Sequence, residues 1–292
     1  MTRCLVTGAT GFLGPHVVRA LLAAGVEVIS LSRTRVAPLA PLHRHIAVDL
    51  HDAAAVDEAI NGAGASHLVH LAWEATPGVF WHSKENFRWI AASAFLLDAF
   101  LRAGGRRAVL AGSCAEYKPS DAPLLEASPT EGATFYAASK LAFHGLAETI
   151  AREIEMVWAR IFFPYGPDED PSKLTSYIMR ELSSGRAPVF QAPGRAVDMI
   201  HVEDVARAFA CLVAADITGT VNIASNIARL PGEIALEGAR LLGNAALADT
   251  LARTLRATPR TATLQGDNSR LLGVWSGAPM RDLKGGLASY LG

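Results

Sequence analysis

Cysteine is scarce in this chain, and so is lysine. Three cysteines (Cys4, Cys114, Cys211) are an odd number and lie far apart. They exclude a disulfide framework and offer no zinc-ligand spacing, so no metal site is expected and a reducing, cytoplasmic setting is. No stretch of about 18 apolar residues is present, so no membrane span is expected. No basic segment with an apolar run precedes the first strand, so neither is a signal peptide. The net charge of −1 gives no footprint for nucleic acid or an anionic membrane. What the chain does have is a large apolar fraction, half of its 292 residues. That is enough to bury a sizeable core in one large domain or two smaller ones.

The first half alternates short apolar runs with segments of helical spacing. Strands are expected at 3–7, 26–31, 46–49, 67–71, 108–112 and 155–161. Helices are expected at 12–24, 53–60, 86–103 and 135–154. Repeated βα units of this kind predict an α/β, doubly wound parallel sheet with helices on both faces, a Rossmann fold. After Arg160 the pattern breaks at Pro164, Gly166, Pro167 and Pro171. The expected organisation is a dinucleotide-binding part at 1–164, with 197–226 returning to it. Residues 165–196 and 227–292 are expected to form a smaller C-terminal α/β substrate lobe.

Gly8, Thr10, Gly11, Phe12, Leu13 and Gly14 join the first strand to the first helix. Glycines there permit a tight turn and let backbone amides approach a pyrophosphate at the positive helix end. In that context the motif reads as a dinucleotide site. An acidic residue ending the second strand would bond the ribose hydroxyl of NAD. This chain has Ser32-Arg33 instead, with Arg35 close by, which suits a 2′-phosphate and makes NADP the first choice and NAD the second. The plainer reading of Arg33 is a solvated charge. Asp49 is a candidate for the adenine amine, or alternatively a helix cap.

Tyr136 and Lys140, four residues apart, share one helix face. An ammonium beside a phenol favours the phenolate, so the Tyr136 pKa is expected to be lowered toward the range useful for proton transfer.

With these residues in hand, the chain resembles the extended short-chain dehydrogenase/reductases, in particular the nucleotide-sugar epimerase/dehydratase/reductase branch. The resemblance runs through 7–14, 48–50, 70–73, Asn86, 112–117, 136–140, 160–167 and 199–206. It implies catalytic roles for Ser113, Tyr136 and Lys140. It also implies a role for Asn86 in ordering the lysine and its water, though helix initiation is an equally simple reading. Leu50, Leu71, Ala72, Trp73 and Phe163 would join the cofactor path. The branch's dehydratases carry an Asp-Glu pair after the catalytic hydroxyl, where this chain has Cys114 and Ala115. Glu116 comes one place late; it either faces substrate or is solvated. Cys114 reads best as a small buried residue. Phe163 and Val197 replace the asparagine and arginine that meet a nucleotide diphosphate in relatives. Glu74, Cys114, Glu116, Lys173 and Arg195 are the substrate candidates.

The resemblance implies an NADP-dependent reductase of a nucleotide-linked keto sugar, with a 4-keto-6-deoxyhexose as the first choice. An NAD-dependent nucleotide-sugar 4-epimerase is the alternative. A non-catalytic dinucleotide-binding sensor is the alternative of another class. Pairing of the helices at 86–103 and 135–154 implies a homodimer.

Overall fold

The computed structural model describes residues 2–292. The chain runs β1 (Arg3–Thr7), α1 (Gly14–Ala23), β2 (Glu27–Ser32), β3 (His43–Ala47), α2 (Ala53–Asn61), β4 (His67–His70), α3 (Glu85–Arg102), β5 (Arg107–Ser113), α4 (Phe135–Ile150) and β6 (Glu155–Ile161). It continues through β7 (Phe163–Tyr165), α5 (Leu174–Ser183), β8 (Arg195–His201), α6 (Val202–Ala214), β9 (Gly219–Ile223), β10 (Ala228–Arg229), α7 (Pro231–Leu241), α8 (Ala245–Arg256), β11 (Ala262–Leu264), α9 (Ser269–Leu272) and α10 (Leu283–Ala288).

Seven strands form a parallel sheet in the order β3-β2-β1-β4-β5-β6-β9. Side chains alternate across each strand, and the two faces bury different partners. Cys4 and Val6 of β1 face the cluster under α1 and α6, with Val17, Leu21, Val205 and Phe209. Leu5 faces the opposite cluster under α2, α3 and α4, with Ile60, Leu97, Phe100 and Phe143. Both faces are covered, which is why these strands read as continuous apolar runs rather than alternating ones. Strand order reverses between β1 and β4, so the crevice beyond their carboxyl ends is where such a sheet gathers ligands.

The expected return of 197–226 to this sheet needs correcting. Helix α6 packs on the large sheet and β9 forms its edge, but β8 belongs to a second, small sheet. The cause lies just after β6. Residues 163–165, expected to be irregular, form β7 and pair in parallel with β8, Phe163 opposite Met199. β10 and β11 flank β8 on its two edges. α5, α7, α8 and α10 share an apolar core with Tyr165, including Ile178, Ile234, Leu251 and Leu287.

Candidate active site

The turn after β1 is shaped by close approaches. Gly8 has φ +69°, and a Cβ there would lie 2.8 Å from the Ala72 amide nitrogen. A Cβ on Gly14 would lie 2.2 Å from the Gly8 carbonyl oxygen. Only glycine fits either place. Gly11 closes the turn by donating its amide to Gly8 O at 3.0 Å. Thr10 and Gly11 are exposed at the tip, while Leu13 packs into the core and Phe12 meets the edge of His16. Pro15 enters the first turn of α1, and no side chain caps that helix, so its positive end is left for an anion.

At the end of β2, the buried Ser32 hydroxyl donates to Thr34 O at 2.8 Å, while Arg33 and Arg35 are exposed. Hydrogen bonds from Thr76 hold the Glu74 carboxyl below its usual range, with a contribution from Arg33. Glu74 therefore sits within the field of Arg33. Asp49 is exposed and accepts from the His51 amide at 3.0 Å; the α2 cap is Asp52, which accepts from Ala55. Leu50 is buried in the core, and Leu71 packs at the end of β4. The Ala72 amide donates to Thr7 Oγ1 at 3.3 Å.

Ser113 ends β5 in extended conformation, and its hydroxyl oxygen accepts from the Ala115 amide at 3.2 Å. Thr134 caps α4 through Ala137, and the Tyr136 amide donates to Trp81 O at 3.1 Å. These contacts bring Tyr136 toward the end of β5, near enough to Ser113 for the hydroxyl to lower its pKa. Phe80 and Trp81 stand edge-on to the ring at 4.9 and 5.7 Å. One turn on, Lys140 is buried and donates to Ala111 O at 3.0 Å.

The expected lowering of the Tyr136 pKa is not what the structure gives. Burial raises it well above the ordinary phenol value, and the Ser113 hydroxyl pulls it back only in part. The Lys140 ammonium lies 5.9 Å from the phenol ring centroid and bonds to a backbone carbonyl, so it offsets little of the desolvation. The direction of the shift favours the protonated phenol. Lys140 is itself pulled down by burial, to about 7, against an upward pull from Glu116.

Glu116 is neither substrate-facing nor solvated. Its side chain turns inward, is fully buried, and accepts from Ser113 N at 2.7 Å, Trp158 Nε1 at 2.9 Å and Arg160 Nε at 2.7 Å. Strand alternation places Trp158 and Arg160 on one face of β6, toward the end of β5, and that was the available signal for this network. Asn86 is also committed. Its Oδ1 accepts from Trp73 Nε1 at 2.7 Å, and its amide donates to Phe80 O and Ser83 O at 2.8 Å each. Cys114 is buried against Tyr117, Leu124 and Phe162, and burial raises its thiol pKa.

A cleft of about 640 Å³ opens between α5 and the small sheet, lined by Phe163, Tyr177, Phe190, Arg195, Val197 and Pro231 among others. Phe163 thus falls in this cleft. Arg195 is exposed at the cleft, and Lys173 lies next to it, its ammonium 5.7 Å from the Phe80 ring. Phe80 in turn stands edge-on to Tyr136 at 4.9 Å.

The profile of the NAD dependent epimerase/dehydratase family matches residues 4–228. The chain is 27% identical over 249 residues to UDP-glucose 4-epimerase 4 of Oryza sativa subsp. japonica, covering 69% of this chain and 65% of that protein. It is 29% identical over 236 residues to a 3-diazoavenalumate denitrifying reductase of Streptomyces sp, covering 76% and 75%. Against UDP-glucuronate 4-epimerase 5 of Arabidopsis thaliana the match spans only 53% of the relative's length. Among solved structures, MoeE5 in complex with UDP-glucuronic acid and NAD superposes with TM-score 0.80 at 25% identity, covering 98% of this chain and 97% of that one. The UDP-glucose 4-epimerase of Thermus thermophilus superposes with the same TM-score at 23% identity over 100% and 99%, a likeness of fold. With a glycine turn, a Ser113–Tyr136–Lys140 constellation and a profile match over most of its length, the chain belongs to the NAD dependent epimerase/dehydratase family.

Proposed function

We propose that the chain is an NADP-dependent reductase acting on a nucleotide-linked keto sugar. The observation that carries this reading is the placement of the Tyr136 phenol toward the end of β5, beside Ser113 and one helix turn from Lys140, with its pKa raised rather than lowered. A protonated phenol is the form that donates to a carbonyl oxygen as charge develops on it. Ser113 would bond and orient the same oxygen. The close approaches at Gly8 and Gly14 fit a pyrophosphate against the α1 end, and Ser32, Arg33 and Arg35 suit a 2′-phosphate. Thr10, Phe12 and Leu13 would border the pyrophosphate, Asp49 the adenine, and Leu71, Ala72 and Trp73 the path toward the nicotinamide. When bound, the dinucleotide supplies the hydride. Lys140 contributes a positive charge one helix turn from the phenol.

The cleft beyond Phe80 would hold the rest of the substrate, with Arg195 and Lys173 as its cationic contacts. A homodimer through α3 and α4 fits the exposed Phe87, 60% accessible and 4.5 Å from Phe135, and Leu146. The second reading, an NAD-dependent 4-epimerase of the same class of sugar, is favoured by the names of the relatives.

The test presents the purified protein with a UDP-linked 4-keto-6-deoxyhexose and either NADPH or NADH. Oxidation of NADPH in preference to NADH supports the reductase. Interconversion of UDP-glucose and UDP-galactose, with NAD carried through purification, replaces it with the epimerase. Neither activity would leave a dinucleotide-binding sensor.

A further inference from the structure

Lys140 holds a buried ammonium whose surroundings are mostly aromatic. The fully buried carboxylate of the site, Glu116, is engaged by Arg160, so Lys140 has no direct ion pair with it. Its ammonium donates to Ala111 O at 3.0 Å and sits 3.8 Å from the centroid of the Trp73 ring. An indole face is the best aromatic partner for a cation, and the attraction is worth most where both are desolvated.

Trp73 is itself fixed. Its ring stacks on Trp89 at 6.3 Å with 28° between the planes, and packs on Phe143 at 6.1 Å. Its Nε1 donates to Asn86 Oδ1 at 2.7 Å. Asn86 is fully buried and ties the other end of its amide to the carbonyls of Phe80 and Ser83. One amide side chain therefore sets both the indole plane and the turn that carries Phe80 against Tyr136. Between Asn86 and Lys140 stands the indole of Trp73.

We propose that Trp73 is a positioning residue whose indole, oriented by Asn86, keeps Lys140 charged and in place beside Tyr136. Its catalytic consequence rests on the reductase reading, while the contact itself does not. Three other titratable groups lie around Lys140, two of them on separate elements. Glu116 pulls its pKa up from the turn after β5, and His70 on β4 senses its charge. Tyr136 faces it from its own helix. Variants at Trp73 leave all three in place.

The chain has five lysines (Lys84, Lys118, Lys140, Lys173, Lys284), so a protein labelled with ¹³C at lysine Cε gives a readable spectrum. Loss of one resonance in Lys140→Met assigns Lys140. In Trp73→Leu its titration midpoint should fall by about one unit, because the uncharged form no longer competes with a cation–π contact. Trp73→Phe keeps a ring face and should fall by less than half as much. Asn86→Ala should shift the midpoint in the same direction by a smaller amount, and should add nothing in the Trp73→Leu background. The loss of turnover in Trp73→Leu at neutral pH should appear in kcat rather than KM, and should lessen as pH is lowered. An unchanged midpoint in Trp73→Leu, or equal shifts for leucine and phenylalanine, overturns the proposal. A shifted midpoint in a protein that reduces no ketone sustains it and removes the reductase reading.

Discussion

Arg160 and Lys140 are both buried cations near the end of β5, and they are handled in opposite ways. Arg160 has a partner for its charge. Burial pushes its guanidinium down, but the charge and hydrogen bond of Glu116 outweigh that and raise it. Its Nη1 also donates to Glu126 O at 3.1 Å, and its plane lies over Tyr117 at 4.5 Å. Lys140 has one carbonyl and an indole face, and its pKa goes down. A satisfied ion pair with fixed hydrogen bonds builds a rigid support; an undercompensated charge is available to act on what enters beside it. Glu116 links the two. It ties Arg160 to the backbone amide of Ser113, so the ion pair fixes the end of β5 that faces α4.

Opening the Glu116–Arg160 pair should have the largest effect. Glu116→Ala leaves Arg160 buried without a counter-charge and should cost about 3–5 kcal/mol of stability in urea unfolding. Glu116→Leu combined with Arg160→Met should recover most of that loss. Lys140→Met should behave in reverse. Turnover should fall about 100-fold or more, while the urea midpoint stays level or rises, since a desolvated charge has been removed.

His70 is a third buried group, one whose charged form burial disfavours. Its Nδ1 is 2.7 Å from Thr7 Oγ1, its Nε2 is 2.8 Å from Ser93 Oγ, and burial followed by the Lys140 charge lowers its pKa to about 3. The unfolded chain takes up a proton at the ordinary histidine value while the folded one resists. Stability from this group is thus complete above about pH 6.5 and is lost as pH falls toward 3. Thermal unfolding of His70→Gln from pH 7 to pH 4 should show a flatter decline than the wild type.

The smallest expected effect lies at the exposed cation. Arg33→Ala should raise KM for NADPH about tenfold, the loss of one charge-assisted contact, and leave KM for NADH unchanged. Equal effects on both cofactors would make Arg33 an ordinary surface charge.

Much of the large sheet was legible in the sequence because local and long-range signals agree there. Apolar runs, glycine stops and helical spacing all point to βα units. The glycine turn was legible because a left-handed backbone and a near-contact with Ala72 admit no other residue at Gly8. β8 was assigned to the wrong sheet because pairing partners are set by where β7 leads the chain, which apolar patterning does not encode. Glu116 was misread because a carboxylate is ordinarily a surface group; only its partners across the β5–β6 pairing offset the cost of burial. The Tyr136 pKa was misjudged for a related reason. Spacing along a helix tells which side chains are neighbours, but not that burial around the phenol outweighs the neighbour's charge.

In the proposed reaction the Tyr136 phenol gives the proton. The direct measurement is Tyr136→Phe, with NADPH affinity read by fluorescence titration and turnover read with the same keto-sugar substrate as the wild type. Cofactor affinity should stay within about threefold of wild type while turnover falls by about 100-fold or more. Turnover near the wild-type level with the phenol removed would contradict it.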